Sequence, residues 1–212
     1  MKYVIQSAAI TLLVLAAVLA LAIVFGAPKD PPPMKRITQP FEEIRTDREK
    51  EQFVARDGSR LTYRRYPAES EPAKGSVVLL HGSGASSESM HSLAQALSDA
   101  NYSAYALDIR GHGASSPKGD SAYIGQLEND LEDFMHAVDP AAPSTLIGFS
   151  SGGGFALRVA GSPHHVLFNN YLLLSPFISQ DSPTQRPGSG GWVEIGLPRH
   201  IAILLLNRLG ID

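Results

Sequence analysis

From residue 50 onward, short apolar runs alternate with amphipathic stretches. "EQFVAR" (51–56) and "RLTYRRY" (60–66) flank the turn "DGS", which predicts two strands joined by a tight connection. "SVVLLHG" (76–82) is a continuous apolar run ending in glycine, the pattern of a strand buried on both faces. Ser86 to Ala100 then places Met90, Leu93, Ala94 and Leu97 on one helical face. "YSAYALDIRG" predicts the next strand. Tyr123, Ile124, Leu127, Leu131, Phe134, Met135 and Val138 recur at helical spacing. The opposite face of that helix carries Glu128, Asp130, Glu132 and Asp133 and is expected to be solvated. "STLIGF" reads as a buried strand, "SGGGFALRVAG" as a helix and "NNYLLLSP" as a strand. This alternation predicts an α/β protein with a mostly parallel sheet and helices on both faces.

The rhythm is absent at both ends. No charged residue lies between Lys2 and Lys29. A bilayer core takes roughly 20 apolar residues, so residues 1–27 are read as a transmembrane anchor. The alternative is a cleaved signal segment, with Ala20-Leu21-Ala22 as a loose small-x-small site. As an anchor, the segment makes the chain a single-pass membrane protein. Lys2 and the N-terminus flank one side while Lys29, Lys35 and Arg36 flank the other. The charge bias is therefore weak, and the C-terminal part is read as exported. Residues 28–48, with three consecutive prolines, read as an extended linker. The globular core is assigned to 49–212, with a partial cap from about residue 178. There "SQDSPTQRPGSGG" is loop, and "PRHIAILLLNRLG" is a helix that opens on proline and ends at glycine. This helix is apolar nearly all round, so it is expected to be covered.

Composition narrows the function classes. A net charge of −3 over 212 residues gives no electrostatic reason to expect a nucleic-acid partner. The absence of cysteine excludes a disulfide, a thiol nucleophile and a thiolate-held metal. Neither a metal nor a cofactor is called for by any motif.

Three motifs carry the candidate chemistry. "GFSSG" (148–152) matches G-x-S-x-G between a predicted strand and helix, the setting of a nucleophile elbow. Its glycines are expected where side chains would strike the adjoining strand and helix. Ser150 is the candidate nucleophile. "HGSG" (81–84) directly follows a strand, and a glycine-rich loop lets backbone amides approach an oxyanion. The N–H groups of Ser83 and Ser151 are the candidate donors. "DIRGHGAS" (108–115) contains His112, but it precedes the serine, whereas an elbow of this kind uses the order serine, acid, histidine. Arg110, Gly111 and His112 are therefore read as a structural turn.

In this order and spacing, "LLHGSG", "DIRGHGAS" and "GFSSGG" resemble the α/β-hydrolase family. The closest likeness is to the branch of monoacylglycerol lipases, lysophospholipases and serine-aminopeptidase-like proteins. The resemblance covers roughly Glu51 to Phe177. It implies the α/β-hydrolase fold, Ser150 as nucleophile, the Ser83 and Ser151 amides as oxyanion hole, and a cap after "NNYLLLSP". It also implies two further strands, one followed by the acid and one by the histidine, and neither is present. Asp181 is one candidate acid placed early, and His200 is the only histidine after it. His200 begins the apolar helix and is read as a cap-surface residue, while His164 and His165 are read as solvent-facing. The function implied is hydrolysis of a lipid or small acyl ester through an acyl-enzyme on Ser150, by a chain read as incomplete at its C-terminal end. The alternative is a hydrolase-like protein that binds an acyl ligand or a partner without turnover. On this reading the strand in "NNYLLLSP" becomes an open sheet edge, whose run Tyr171, Leu172, Leu173 and Leu174 holds no lysine or proline to blunt pairing.

Overall fold

The structure, a computed structural model, describes residues 2–26, 46–117, 121–179, 182, 196–208 and 210. Residues 38–183 form one compact unit, and residues 1–37 with 184–212 form another. Residues 28–45 of the linker and, of the segment assigned to a cap, residues 180, 181, 183–195, 209, 211 and 212 lie outside the described residues.

In the larger unit, six strands form one sheet in the order β1-β2-β4-β3-β5-β6. They are β1 (Lys50–Val54), β2 (Arg60–Tyr66), β3 (Ser76–Leu80), β4 (Ser103–Leu107), β5 (Ser144–Phe149) and β6 (Asn170–Leu174). The hairpin β1–β2 is antiparallel and β2 joins β4 antiparallel, while β4, β3, β5 and β6 run parallel. A parallel sheet must be covered on both faces, and period-two alternation divides its side chains accordingly. Val78 and Leu80 pack with Leu107, Phe134, Leu146 and Val159 on one face. Val77 and Leu79 pack with Met90, Ala94, Ala106 and Ile147 on the other. Between α1 (Lys2–Phe25) at the start of the chain and the last helix lie α2 (His91–Asp99), α3 (Gln126–Val138) and α4 (Ser151–Ala160). Every residue of β3 and β4 is buried. Among the described residues β6 pairs on one side only, and its Leu172 is 48% exposed.

Local sequence accounts for the places where elements depart from expectation. The stretch from Ser86 begins as a 3-10 turn, Ser87–Met90, before α2 opens at His91. Tyr123 and Ile124 are not on a helix face. Gly125 adopts φ 100, a left-handed conformation that starts α3 only at Gln126 and leaves Ile124 98% exposed. The acidic side of α3 is not a solvated surface. Glu128 and Asp130 are buried, and Arg158 of α4 binds Glu128 while Arg110 binds Asp130. Glu132 and Asp133 pair with Arg56. Periodicity marked the face as polar, whereas only the tertiary arrangement brought arginines from other elements against it. Similarly, His164 is half-buried in the turn Pro163–Leu167, and only His165 is exposed.

In the smaller unit, α1 packs along α5 (Leu197–Arg208), the helix expected from Pro198. Gly26 sits against Pro198 and Arg199, and Ala202 is buried in the seam. Ile201, Leu204 and Leu205 remain exposed. Among the described residues no helix is long and apolar enough to cross a membrane.

Candidate active site

The carboxyl ends of β3, β4 and β5 meet at one edge of the parallel sheet, where open α/β sheets bind ligands. β5 ends at Phe149, α4 begins at Ser151, and Ser150 makes the turn between them at φ 53, ψ −116. This backbone conformation is costly for a residue with a Cβ and persists only where its surroundings enforce it. They do so here. The Ser150 amide donates to the Leu174 carbonyl at the end of β6, and its carbonyl accepts from Gly154 and Phe177.

The two outer motif glycines are fixed by close approach of main chain to main chain. A Cβ on Gly148 would stand 2.1 Å from the Gly152 carbonyl oxygen, and one on Gly152 would stand 2.5 Å from that of His81. None of these backbone atoms can swing aside without moving strand or helix. Gly152→Ala is therefore expected to destabilise the larger unit by about 3 kcal/mol. Denaturant unfolding monitored at the sheet would read this, and an unchanged midpoint would refute the packing argument.

The loop after β3 lies directly against the elbow: a Cβ on Gly82 would be 3.2 Å from that of Ser150. Ser83 and Gly84 are exposed, and Gly84 takes φ +66 with nothing crowding it. As the first residue of α4, Ser151 has an amide without the usual intrahelical acceptor, and the N-terminal end of the helix favours negative charge there. The structure thus brings Ser150, Ser151 and the Ser83 loop to one point. Among the described histidines, His81 lies in that loop, but its ring bonds Gly82 and Ile109 rather than Ser150. Among the described residues, no side chain hydrogen-bonds the Ser150 hydroxyl. Asp181 lies outside the described residues, and His200 belongs to the smaller unit.

Arg110, Gly111 and His112 form a turn, as the sequence predicts. The His112 amide donates to the Ile109 carbonyl, and the Arg110 guanidinium grips Asp130 at 2.6 and 2.7 Å. Arg110 also reaches Asp57 and Ser59 beside the first hairpin. Its guanidinium holds the Asp57 carboxyl down at about 2, below the ordinary range. Burial pushes the Asp130 carboxyl up, with Arg110 pulling the other way.

Three groups given no task by the sequence, Asp108, Arg64 and His81, hold the loop after β3. Asp108, buried at the end of β4, accepts the Ser87 amide at 2.6 Å and the Ala114 amide at 2.7 Å. Arg64 on β2 reaches the Ser87 hydroxyl and Glu88. His81 is fully buried; its Nδ1 lies 2.7 Å from the Gly82 carbonyl oxygen, and its Nε2 accepts the Ile109 amide at 3.1 Å. Burial pushes the imidazole pKa down. For two of them a polar residue closing an apolar strand was the available signal: His81 after "SVVLL" and Asp108 after "SAYAL".

Known proteins resemble this chain in sequence and fold. The chain is 32% identical over 117 residues to a monoacylglycerol lipase of Mycolicibacterium smegmatis, covering 52% of this chain and 41% of that one. A solved structure of a soluble variant of Saccharomyces cerevisiae monoglyceride lipase, in complex with a substrate analog, superposes with a TM-score of 0.52. Its identity is 28%, over 69% of this chain and 48% of that one. The α/β hydrolase GrgF from a Penicillium species superposes with a TM-score of 0.57 at 18% identity, over 79% and 68%, and so shares the fold. The chain spans less than half the length of the curated relatives it matches. The family model described as "Serine aminopeptidase, S33" matches residues 71–202. With the nucleophile-elbow geometry on an α/β-hydrolase sheet and a family match over more than half its residues, this chain belongs to the serine aminopeptidase S33 family.

Proposed function

We propose that the protein is a serine-type hydrolase of carboxylic esters, lipid or small acyl, with Ser150 as nucleophile. The reading rests on one observation above all: Ser150 is held in a strained turn at a helix N-terminus, with the Gly82 loop against it. The Ser150 hydroxyl attacks the ester carbonyl, and the amides of Ser83 and Ser151 take the oxyanion of the tetrahedral intermediate. The alkoxide leaves as an alcohol, and water then cleaves the acyl-enzyme. The likeness to lipases of acylglycerols supports a lipid ester as substrate. Reaction with a fluorophosphonate probe requires an activated serine, so it reports on the base together with the nucleophile. The expected result is a single labelled site at Ser150. A chain left unlabelled would favour the second reading, a protein that binds an acyl ligand without turnover. That reading draws on the Ser150 hydroxyl, which no side chain among the described residues hydrogen-bonds.

We propose further that α1 anchors the chain in a membrane, with the hydrolase unit exported. Support comes from the uncharged run from Tyr3 to Pro28 and from the continuous helix Lys2–Phe25 that covers most of it. Carbonate-washed membranes are expected to retain the full chain, and a version starting at Lys29 is expected in the soluble fraction. Release of the full chain by carbonate would overturn the anchor, and a mature N-terminus near Ala22 or Ala27 would assign a cleaved signal instead.

A further inference from the structure

The imidazole of His81 is wholly buried, is pinned at both nitrogens, and has no part in the proposed chemistry. Each of its two hydrogen bonds dictates a protonation state. A carbonyl oxygen only accepts, so Nδ1 must carry the proton that reaches Gly82. The Ile109 amide only donates, so Nε2 must present its lone pair. One form of the ring satisfies both, the neutral tautomer protonated on Nδ1. A charged ring would turn an N–H towards the N–H of Ile109. The Nε2–H tautomer would lose both bonds.

What these bonds connect gives the ring its task. The Gly82 carbonyl accepts the His81 ring and also the Ala85 amide, closing the turn that contains Ser83 and Gly84. Ile109 follows β4, the strand beside β3. The ring therefore ties the turn bearing the Ser83 amide to the neighbouring strand end. Asp108 and His112 are the titratable groups that act on it, the latter with its ring centroid 5.1 Å away. Main-chain bonds hold Ser150 from the side of β6, whereas the exposed Ser83 turn has no strand of its own to hold it.

We propose that His81 is the positioning residue of the oxyanion loop: its neutral ring, protonated on Nδ1, clamps Gly82 to Ile109 and so fixes the direction of the Ser83 amide. The assignment rests on the hydrolase reading for its consequence, and its physical content can be measured without turnover. In the full-length chain in detergent micelles, nitrogen-15 NMR of the histidines is expected to show His81 neutral, with the proton on Nδ1. This should still hold at pH 6, where a free imidazole of pKa about 6.5 is mostly charged. An Nε2–H or doubly protonated ring would overturn the proposal.

Hydrogen exchange is the second readout. In His81→Leu the Ala85 and Ile109 amides are expected to exchange on the order of ten-fold faster, with α3 unchanged. His81→Gln, whose side-chain oxygen can accept from Ile109, is expected to restore part of the protection. Unchanged exchange in His81→Leu would defeat the clamp. Should α3 also lose protection in that variant, the Gln variant and the wild-type tautomer decide. Loss of one oxyanion donor typically costs roughly 10²–10³-fold in rate. Fluorophosphonate labelling of Ser150 is therefore expected to slow by about 100-fold in His81→Leu, and equal labelling of the two proteins would count against the proposal. A wild-type chain that is not labelled at all would remove the hydrolase reading. The tautomer and exchange results would then judge the clamp by themselves.

Discussion

Ser150→Ala is expected to abolish both fluorophosphonate labelling and hydrolysis of short p-nitrophenyl esters. The expected loss relative to the wild-type chain is at least about 100-fold, because without a nucleophile only binding and the oxyanion donors act on the ester. The same change should leave the fold in place. The Ser150 backbone bonds to Leu174, Gly154 and Phe177 do not involve its hydroxyl. Alanine meets the same strained φ of 53 as serine does, since both carry a Cβ. The measurement is thus a pair, labelling and unfolding midpoint on one preparation. Loss of labelling at an unchanged midpoint locates the nucleophile. Labelling that persists in the variant would place the reactive serine elsewhere and remove the elbow from the mechanism.

The largest effect on stability is expected at Arg110. This guanidinium is buried and links Asp130 on α3 to Asp57 beside the first hairpin. Arg110→Ala leaves the buried Asp130 carboxylate without its cation, and removing one partner of a buried pair costs about 3–5 kcal/mol. Chemical denaturation at pH 7 would register it, and a loss below about 1 kcal/mol, the scale of an exposed pair, would show that the cluster is surface-like. The pair also predicts a dependence on pH. Hydrogen bonding from Arg110 holds the Asp57 pKa at about 2 in the folded chain, against an ordinary 3.8. A depressed carboxylate pKa contributes stability that is fully present above the unfolded value and is lost as pH falls through the folded one. The wild-type chain should therefore lose this contribution between about pH 4 and pH 2. The gap between it and Arg110→Ala should narrow over the same interval. A gap that stays constant would mean that Arg110 does not set the ionisation of Asp57.

The sequence by itself determined the elements and the elbow. "SVVLL" and "SAYAL" are apolar at every position or nearly so, which leaves a strand no solvent face, and both proved buried throughout. Gly148 of "GFSSG" could be read because its reason is local, whereas Gly152 is fixed by the main chain of Leu80 and His81. A strand that turns sharply into a helix brings main chain onto main chain within five residues, and the Gly148–Gly152 contact is of that kind. The order of the strands, and therefore which loops meet Ser150, was set by pairing between residues far apart in sequence. Only the tertiary structure decided the roles of the polar residues. Glu128 and Asp130 occupy the polar side of α3 by periodicity, yet both are buried against arginines that come from α4 and from the turn after β4. His81 looked like one letter of a glycine-rich loop. Its function as a clamp depends on an amide 28 residues away. Burial and hydrogen bonding of a charged or titratable group depend on what other segments place beside it, and a one-dimensional pattern carries no record of those neighbours.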